Sequence, residues 1–228
     1  MTTTQRKAAA QAWADAIKQT AENDPQQRMQ LCRALVDLLK AWEGIKAGED
    51  ELWETIVSYG PEGISNKALS IASGVVPERI SQKAKVWMRV GLLTKTQHGT
   101  TSMYAANLET LMQLTNFEKT MAEHANTTIP EILAKCTVLS LPLDLVIYTR
   151  LLQSEMTVSG LMESLNTLDQ SRVSTSLARL RRENLASSTT EGNKRLYRSN
   201  LGILFAFDRA RECFVETGII TLPEPDIK

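Results

Sequence analysis

The sequence predicts a mainly helical protein with small β-hairpins, built as two similar domains in tandem behind an N-terminal helical extension. Three observations carry this reading. A stretch of 33 residues recurs 93 residues further on without a gap. Within each copy, apolar residues keep helical spacing until a switch to extended patterning around a shared glycine. The chain has no net charge, with 26 basic and 26 acidic side chains, yet its positive charge gathers in the same two stretches. Residues 64–105 carry +5 and residues 157–200 carry +3, so everything else sums to −8.

The recurrence sets "RISQKAKVWMRVGLLTKTQHGTTSMYAANLETL" (79–111) over "RVSTSLARLRRENLASSTTEGNKRLYRSNLGIL" (172–204). Ten of 33 positions are identical, among them Arg79/Arg172, Arg89/Arg182, Gly99/Gly192, Tyr104/Tyr197 and Asn107/Asn200. Chance would supply about two at ordinary residue frequencies. Two long copies exclude a solenoid and imply two like domains. They are expected at 49–125 and 126–228, behind an extension over 1–48.

The extension reads as two helices. "TTTQRKAAAQAWADAIKQTAEN" is alanine-rich, and "DPQQRMQLCRALVDLLKAWEGIKAG" opens with Asp24 as N-cap and Pro25 at the first helical position. Met29, Cys32, Leu35, Val36, Leu39 and Trp42 form an apolar stripe on the second. That stripe suits packing on the first domain or a seam with a partner, and the pattern leaves both open.

In each copy a first helix is expected at 50–60 or 141–153, with Glu49, Asp50, Glu51 and Glu54 as an acidic first turn in the earlier one. A short second helix follows, at 65–73 or 157–166. A polar turn leads to a third helix at 78–90 or 170–183, with Pro77 placed to open the earlier one. "LLTKTQHGTTSMYAA" and "LASSTTEGNKRLYRS" then read as hairpins, with Gly99 and Gly192 where a turn needs positive φ. Asn107 and Asn200 are placed as N-caps of closing helices at 108–122 and 201–216.

Helix, helix, turn, helix, β-hairpin is the winged helix-turn-helix arrangement. The second copy, through "SRVSTSLARLRRENLASS…GNKRLYR", resembles the winged-helix domains of the MarR, ArsR and PadR groups of bacterial regulators. The resemblance spans about 80 residues per copy, roughly two-thirds of the chain. It implies a fold that is mainly α with small β-hairpin wings, in two tandem winged-helix domains plus the N-terminal helical extension. It also implies a third helix that enters the major groove of duplex DNA.

The residues agree with that chemistry. On the later third helix, Val173, Leu177 and Leu180 share one face and turn inward, leaving Arg172, Thr175, Arg179 and Arg182 as the proposed reading surface. On the earlier one, Ile80, Ala84 and Trp87 turn inward. Arg79, Gln82, Lys85 and Arg89, with Val86 among them, face out. Arginine can offer a two-pronged donor to guanine, glutamine can pair with adenine, and a short hydroxyl can bond a base edge or phosphate. Neither face carries an acid that would repel phosphate. Lys95 in the first wing and Lys194 and Arg195 in the second are placed to reach the backbone or minor groove. Tyr104 and Tyr197 read as wing-core residues.

Other functions lack their parts. Two histidines, His98 and His124, make neither a catalytic triad nor a metal set, and no cofactor or metal is read. GxGxxG, GxxxxGK[ST] and GxSxG are all missing. Cys32, Cys136 and Cys213 form no CxxC pair, and Cys32 and Cys213 read as buried filler. No apolar run reaches a membrane span, and the polar N-terminus lacks a signal peptide's apolar centre, so a cytoplasmic protein is expected.

The expected partner is double-stranded DNA, read by a bacterial-type transcription regulator that forms a homodimer. A protein partner could engage the N-terminal helices. The competing readings are a plasmid- or phage-type replication initiator or partition factor, and a protein-interaction scaffold of a chromosome-organising complex.

Overall fold

The computed structural model describes residues 25–47, 51–167 and 169–222. The alanine-rich stretch at the start, the Asp24 cap, and Glu49 and Asp50 lie outside the described residues. Among the described residues the chain runs α1 (Pro25–Lys46), α2 (Glu51–Ser58), a 3-10 turn (Gly60–Glu62), β1 (Ile64–Ser65), α3 (Asn66–Ser73), α4 (Pro77–Arg89), β2 (Leu93–His98), β3 (Thr101–Ala106) and α5 (Leu108–Thr120). It continues through a π-helical turn (Met121–Ala125), α6 (Ile129–Leu139), α7 (Pro142–Gln153), α8 (Val158–Ser164), α9 (Gln170–Arg182), β4 (Ala186–Glu191), β5 (Lys194–Ser199), α10 (Gly202–Ala210) and a second π-helical turn (Arg211–Val215). The third helices and both strands of each hairpin begin and end 93 residues apart.

Two compact units divide this chain, and they are not the contiguous stretches 49–125 and 126–228. One takes Ala34–Pro130 together with Arg209–Thr221. Among described residues the other takes 25–33 and 131–208, with Leu222. The physical reason lies in the cores. In the first unit Phe117 of α5 meets Phe214 at 5.2 Å between ring centroids, and Leu35, Leu38 and Leu39 of α1 are buried. The stripe expected on α1 is also wider than its sequence pattern, since Leu31 and Leu38 are buried and Val36 only half-buried.

In the first unit α3 is capped by Ser65, whose hydroxyl accepts the Ala68 N–H at 3.2 Å. Pro77 opens α4, as its fixed φ and missing donor favour. Ile80, Ala84 and Trp87 are buried on the inner face of α4, and Trp87 meets Trp53 of α2 edge-on at 5.3 Å. The strands form an antiparallel sheet in the order β1-β3-β2, with Ile64 opposite Tyr104 and Leu93 opposite Ala106. β1 and the 3-10 turn before it are not apparent in the sequence pattern. Gly63 makes them possible: its φ is +74°, and Tyr104's carbonyl oxygen lies 2.6 Å from where a Cβ would stand. Asn107 caps α5 as expected, accepting the Thr110 N–H at 3.3 Å.

The second unit repeats these devices with different side chains. Thr157 caps α8 through the Gly160 N–H at 3.1 Å. α9 buries Val173, Ser176, Leu177 and Leu180, and β4 pairs with β5 from Ala186–Ser199 to Glu191–Lys194. A single bridge, Met156 to Tyr197, stands where the first unit has β1. Asn184 follows α9 with φ +53°, the left-handed conformation that Gly91 supplies after α4 at +75°. The next N–H then returns into the helix, Leu92 to Trp87 O at 2.9 Å and Leu185 to Leu180 O at 2.7 Å. This closure satisfies an orphan carbonyl and aims the chain into the wing. Asn200 does not cap as expected. Its amide donates to Asn184 O at 2.9 Å and its oxygen accepts from Ser187, while α10 starts at Gly202.

Tyr148 is fully buried on α7, and its hydroxyl donates to Asn200 O at 2.8 Å. Burial raises its pKa, Arg28 opposing and Cys32 adding. A folded pKa above the unfolded value of about 10 means stability is intact below pH 10 and drains above it. Tyr148→Phe should therefore cost about 0.5–1.5 kcal/mol at pH 7 through the lost hydrogen bond. The gap to the parent should narrow in urea melts above about pH 10, where the parent must keep a phenol neutral.

Candidate nucleic-acid interface

The outer face of α9 is built by what its inner face must bury. With Val173, Leu177 and Leu180 inward, Arg172, Thr175, Ala178, Arg181 and Arg182 come to the surface. Asp169 caps the helix, accepting the Arg172 N–H at 3.0 Å. The Arg172 side chain remains 74% exposed, with its Nε 3.9 Å from Asp169 Oδ2. Arg182 is similarly open and donates from Nε to Glu183 Oε1 at 2.9 Å. Such exposed pairs hold an arginine loosely and leave it free to exchange for phosphate or base.

Arg179 departs from the expected reading surface. Its Nε donates to Asp144 Oδ2 and its Nη2 to Asp144 Oδ1, each at 2.6 Å. The Asp144 carboxylate belongs to α7 and is wholly buried, and it also accepts from the Ser176 hydroxyl. Arg179 Nη2 reaches Ser176 Oγ as well, at 3.2 Å. The hydrogen-bonded carboxylate raises the guanidinium's pKa, against the smaller effect of its burial. A bidentate, charge-assisted pair of this kind is occupied, not waiting for a base.

The sequence held a signal for this. Asp144 falls at i, i+1, i+4 and i+7 with Leu145, Tyr148 and Leu151, on the stripe that α7 buries. Ser176 likewise interrupts the apolar face of α9. A charge and a hydroxyl on facing buried stripes call for partners, and Arg179 is the donor that supplies them.

On α4, Arg79, Gln82, Lys85 and Val86 are exposed as expected. Arg89 is exposed too, but its Nη2 lies 3.4 Å from Asp37 Oδ2 on α1. Arg89 and Arg182 both stand in the last turn of their helices, where a cation also complements the helix dipole.

The second wing presents Lys194 and Arg195 at the surface. Arg195 is steadied by Ser188, whose Oγ accepts its Nε–H at 3.0 Å, and by the Tyr197 ring 5.7 Å below its guanidinium carbon. An open groove of about 510 Å³ lies between this wing, Thr157 and Ser159 of the α8 start, and Gln170 of α9. Lys95 stands exposed on β2 opposite Tyr104. Tyr104 and Tyr197 are buried wing-core residues, as is Trp87 in its helix. Arg198, which the sequence reading passed over, donates to Ser187 Oγ at 3.2 Å and nears Glu155.

All three cysteines are free and buried. Among the described residues no His, Cys, Asp and Glu group could hold a metal ion, and no single helix is long and apolar enough to cross a membrane.

Residues 147–188, from α7 through α9 into β4, match the family described as bacterial regulatory protein, arsR family. That match supports a winged helix-turn-helix over this span and suggests a DNA-binding regulator. No curated protein matches the chain.

The Arg89–Asp37 contact is exposed on both sides, so Arg89→Ala and Asp37→Ala should each cost under about 1 kcal/mol in urea unfolding, with a coupling of the same small size in a double-mutant cycle.

Proposed function

We propose that the chain is a sequence-specific double-stranded DNA-binding protein, a transcription regulator with two winged helices per chain. The observation that carries this is the outer face of α9. Arg172, Thr175 and Arg182 are exposed there, inside the span that matches the arsR family, the arginines paired only with Asp169 and Glu183 at the helix ends. Lys194 and Arg195 extend the same cationic surface along the wing. Arg172 is placed to pair with guanine and Thr175 to meet a base edge, while the wing cations hold phosphate. In the first copy Arg79, Gln82, Lys85, Arg89 and Lys95 take the corresponding roles. Because the two faces differ, the copies read different sequences.

We assign the active species as a homodimer, in which four third helices lengthen the footprint. Light scattering at micromolar concentration should give twice the chain mass, and a monomeric mass would refute this.

A second reading is favoured for the first copy by its exposed apolar side chains. Ile71 is 77% exposed, Val76 59% and Val86 45%, and Val86 stands where the second copy has Arg179. Exposed apolar anchors suit a protein partner more than a phosphate backbone. In this reading one copy reads DNA and the other docks a protein.

The deciding experiment is an unbiased selection of duplex sites followed by anisotropy titrations at 50 and 200 mM salt. About 8–10 phosphate contacts across a dimer would weaken binding by about 10³–10⁵ between these conditions, and a slope near zero refutes DNA binding. Arg172→Ala should cost about 1–3 kcal/mol on the selected site and relax its preference. Lys194→Ala should lower the salt slope by about one with the preference kept. Changing Arg79, Gln82 and Lys85 together to alanine without any loss would assign the first copy to protein docking.

A further inference from the structure

We infer that Asp144 is a positioning residue for the reading helix, acting through Arg179 and Ser176, and this rests on the DNA-binding reading above. The carboxylate is fully buried, which is costly for a charge unless every lone pair is used. Here both oxygens are used. Arg179 donates one bond to each at 2.6 Å, and the Ser176 hydroxyl adds a third. A planar fork closed on a planar carboxylate allows one relative orientation, so α9 is fixed in rotation and in register against α7.

The position of the lock on α9 matters. Ser176 is the neighbour of Thr175, and Arg179 stands one turn beyond Thr175 and three residues before Arg182. Any roll of α9 that displaced the reading side chains would have to break the fork first. Base readout demands such fixity, because a binding constellation must be held within about 0.5 Å and 10–20° of its productive geometry.

The first copy shows that the fold itself does not need this device. The matching positions there are Glu51, Lys83 and Val86, with Glu51 and Val86 exposed. There the Trp53–Trp87 edge contact joins α4 to α2. Two apolar surfaces in contact resist separation but tolerate small rotations, since burial is not directional. The buried carboxylate, with its part-exposed arginine and the serine hydroxyl, therefore adds orientation to a winged helix that would form without it. Replacing a buried pair by apolar residues of similar size often leaves stability unchanged or improved, so the two contributions can be separated experimentally.

The test is the double variant Asp144→Leu with Arg179→Met, which keeps net charge and approximate volume. Binding is measured to the selected duplex and to a random duplex of equal length, each across a salt series, alongside urea unfolding. We expect a cooperative melt like the parent's, unchanged affinity and salt slope on random duplex, and at least a tenfold loss on the selected site. Arg179→Lys keeps the charge but not the fork. It should show the same selective loss, and it carries the test if the double variant does not fold. Full retention of selectivity in a folded double variant would overturn the inference, leaving the triad a stability element only. A salt slope lowered by about one on random duplex in Arg179→Met alone, with tighter binding in Asp144→Asn, would overturn it differently, making Arg179 a phosphate contact. If the parent protein binds no duplex, the DNA-binding reading falls and takes this inference with it. Parental selectivity that survives in the variants sinks the inference alone.

Discussion

The wing of each copy is held by one tyrosine that must stay out of water. Tyr104 and Tyr197 occupy matching places on the returning strand, both buried, and each faces the segment just before the second helix, Ile64 in one case and Met156 in the other. That third line of backbone pairing turns a two-stranded ribbon, marginal by itself, into part of the domain. The cations of the wing depend on it. Arg195 lies over the Tyr197 ring and bonds Ser188, so its direction is set by a residue the core has already fixed. The left-handed residue after the third helix completes the constraint, because it decides where the first strand starts. Gly91 adopts it freely, whereas Asn184 adopts it as one of the few side-chain-bearing residues that does so at low cost.

Around this shared frame the two copies fill their cores differently. Where α4 has Ala84 and Trp87 inward, α9 has Leu177 and Leu180, so a small and a very large side chain are exchanged for two of middling size. Such compensation keeps the volume between helices nearly constant, which close packing demands. Polar chemistry then diverges on top of it. The first copy leaves Val86 in solvent, and the second uses the same place for an arginine folded back onto a buried acid.

Much of this was legible in the order of residues, because it is governed by local rules. Helical spacing located the three helices of each copy to within a residue or two, and Pro77, Gly99 and Gly192 marked their turns. What escaped has causes of longer range. α6 (Ile129–Leu139) is the exception, since Ile129, Ile132, Cys136 and Leu139 fall at helical spacing on one buried face. Arg179 looked like a surface cation because its partner lies 35 residues earlier on another helix. A hydrogen bond that long-ranged has no signature in spacing. Its only trace is the acid at 144 among leucines, a contradiction that the arginine resolves. The membership of the two compact units was hidden for the same reason, since Phe214 and Phe117 are 97 residues apart in the chain.

That last separation bears on how the chain is made. A ribosome delivers residues in order, and the unit that begins at Ala34 lacks Arg209–Thr221 until residues 131–208 have been made. Phe117 must wait for Phe214, and Gly91 for Ile219, whose side chain lies 3.4 Å from where a Cβ on that glycine would be. The earlier-made copy is thus completed only after 131–208 of the later one has been made. Contacts so distant in sequence slow folding and leave apolar surface open in the interval. For that interval the first copy is a nascent domain in search of a distant helical turn, and removing Arg209–Thr221 would leave it permanently in that condition.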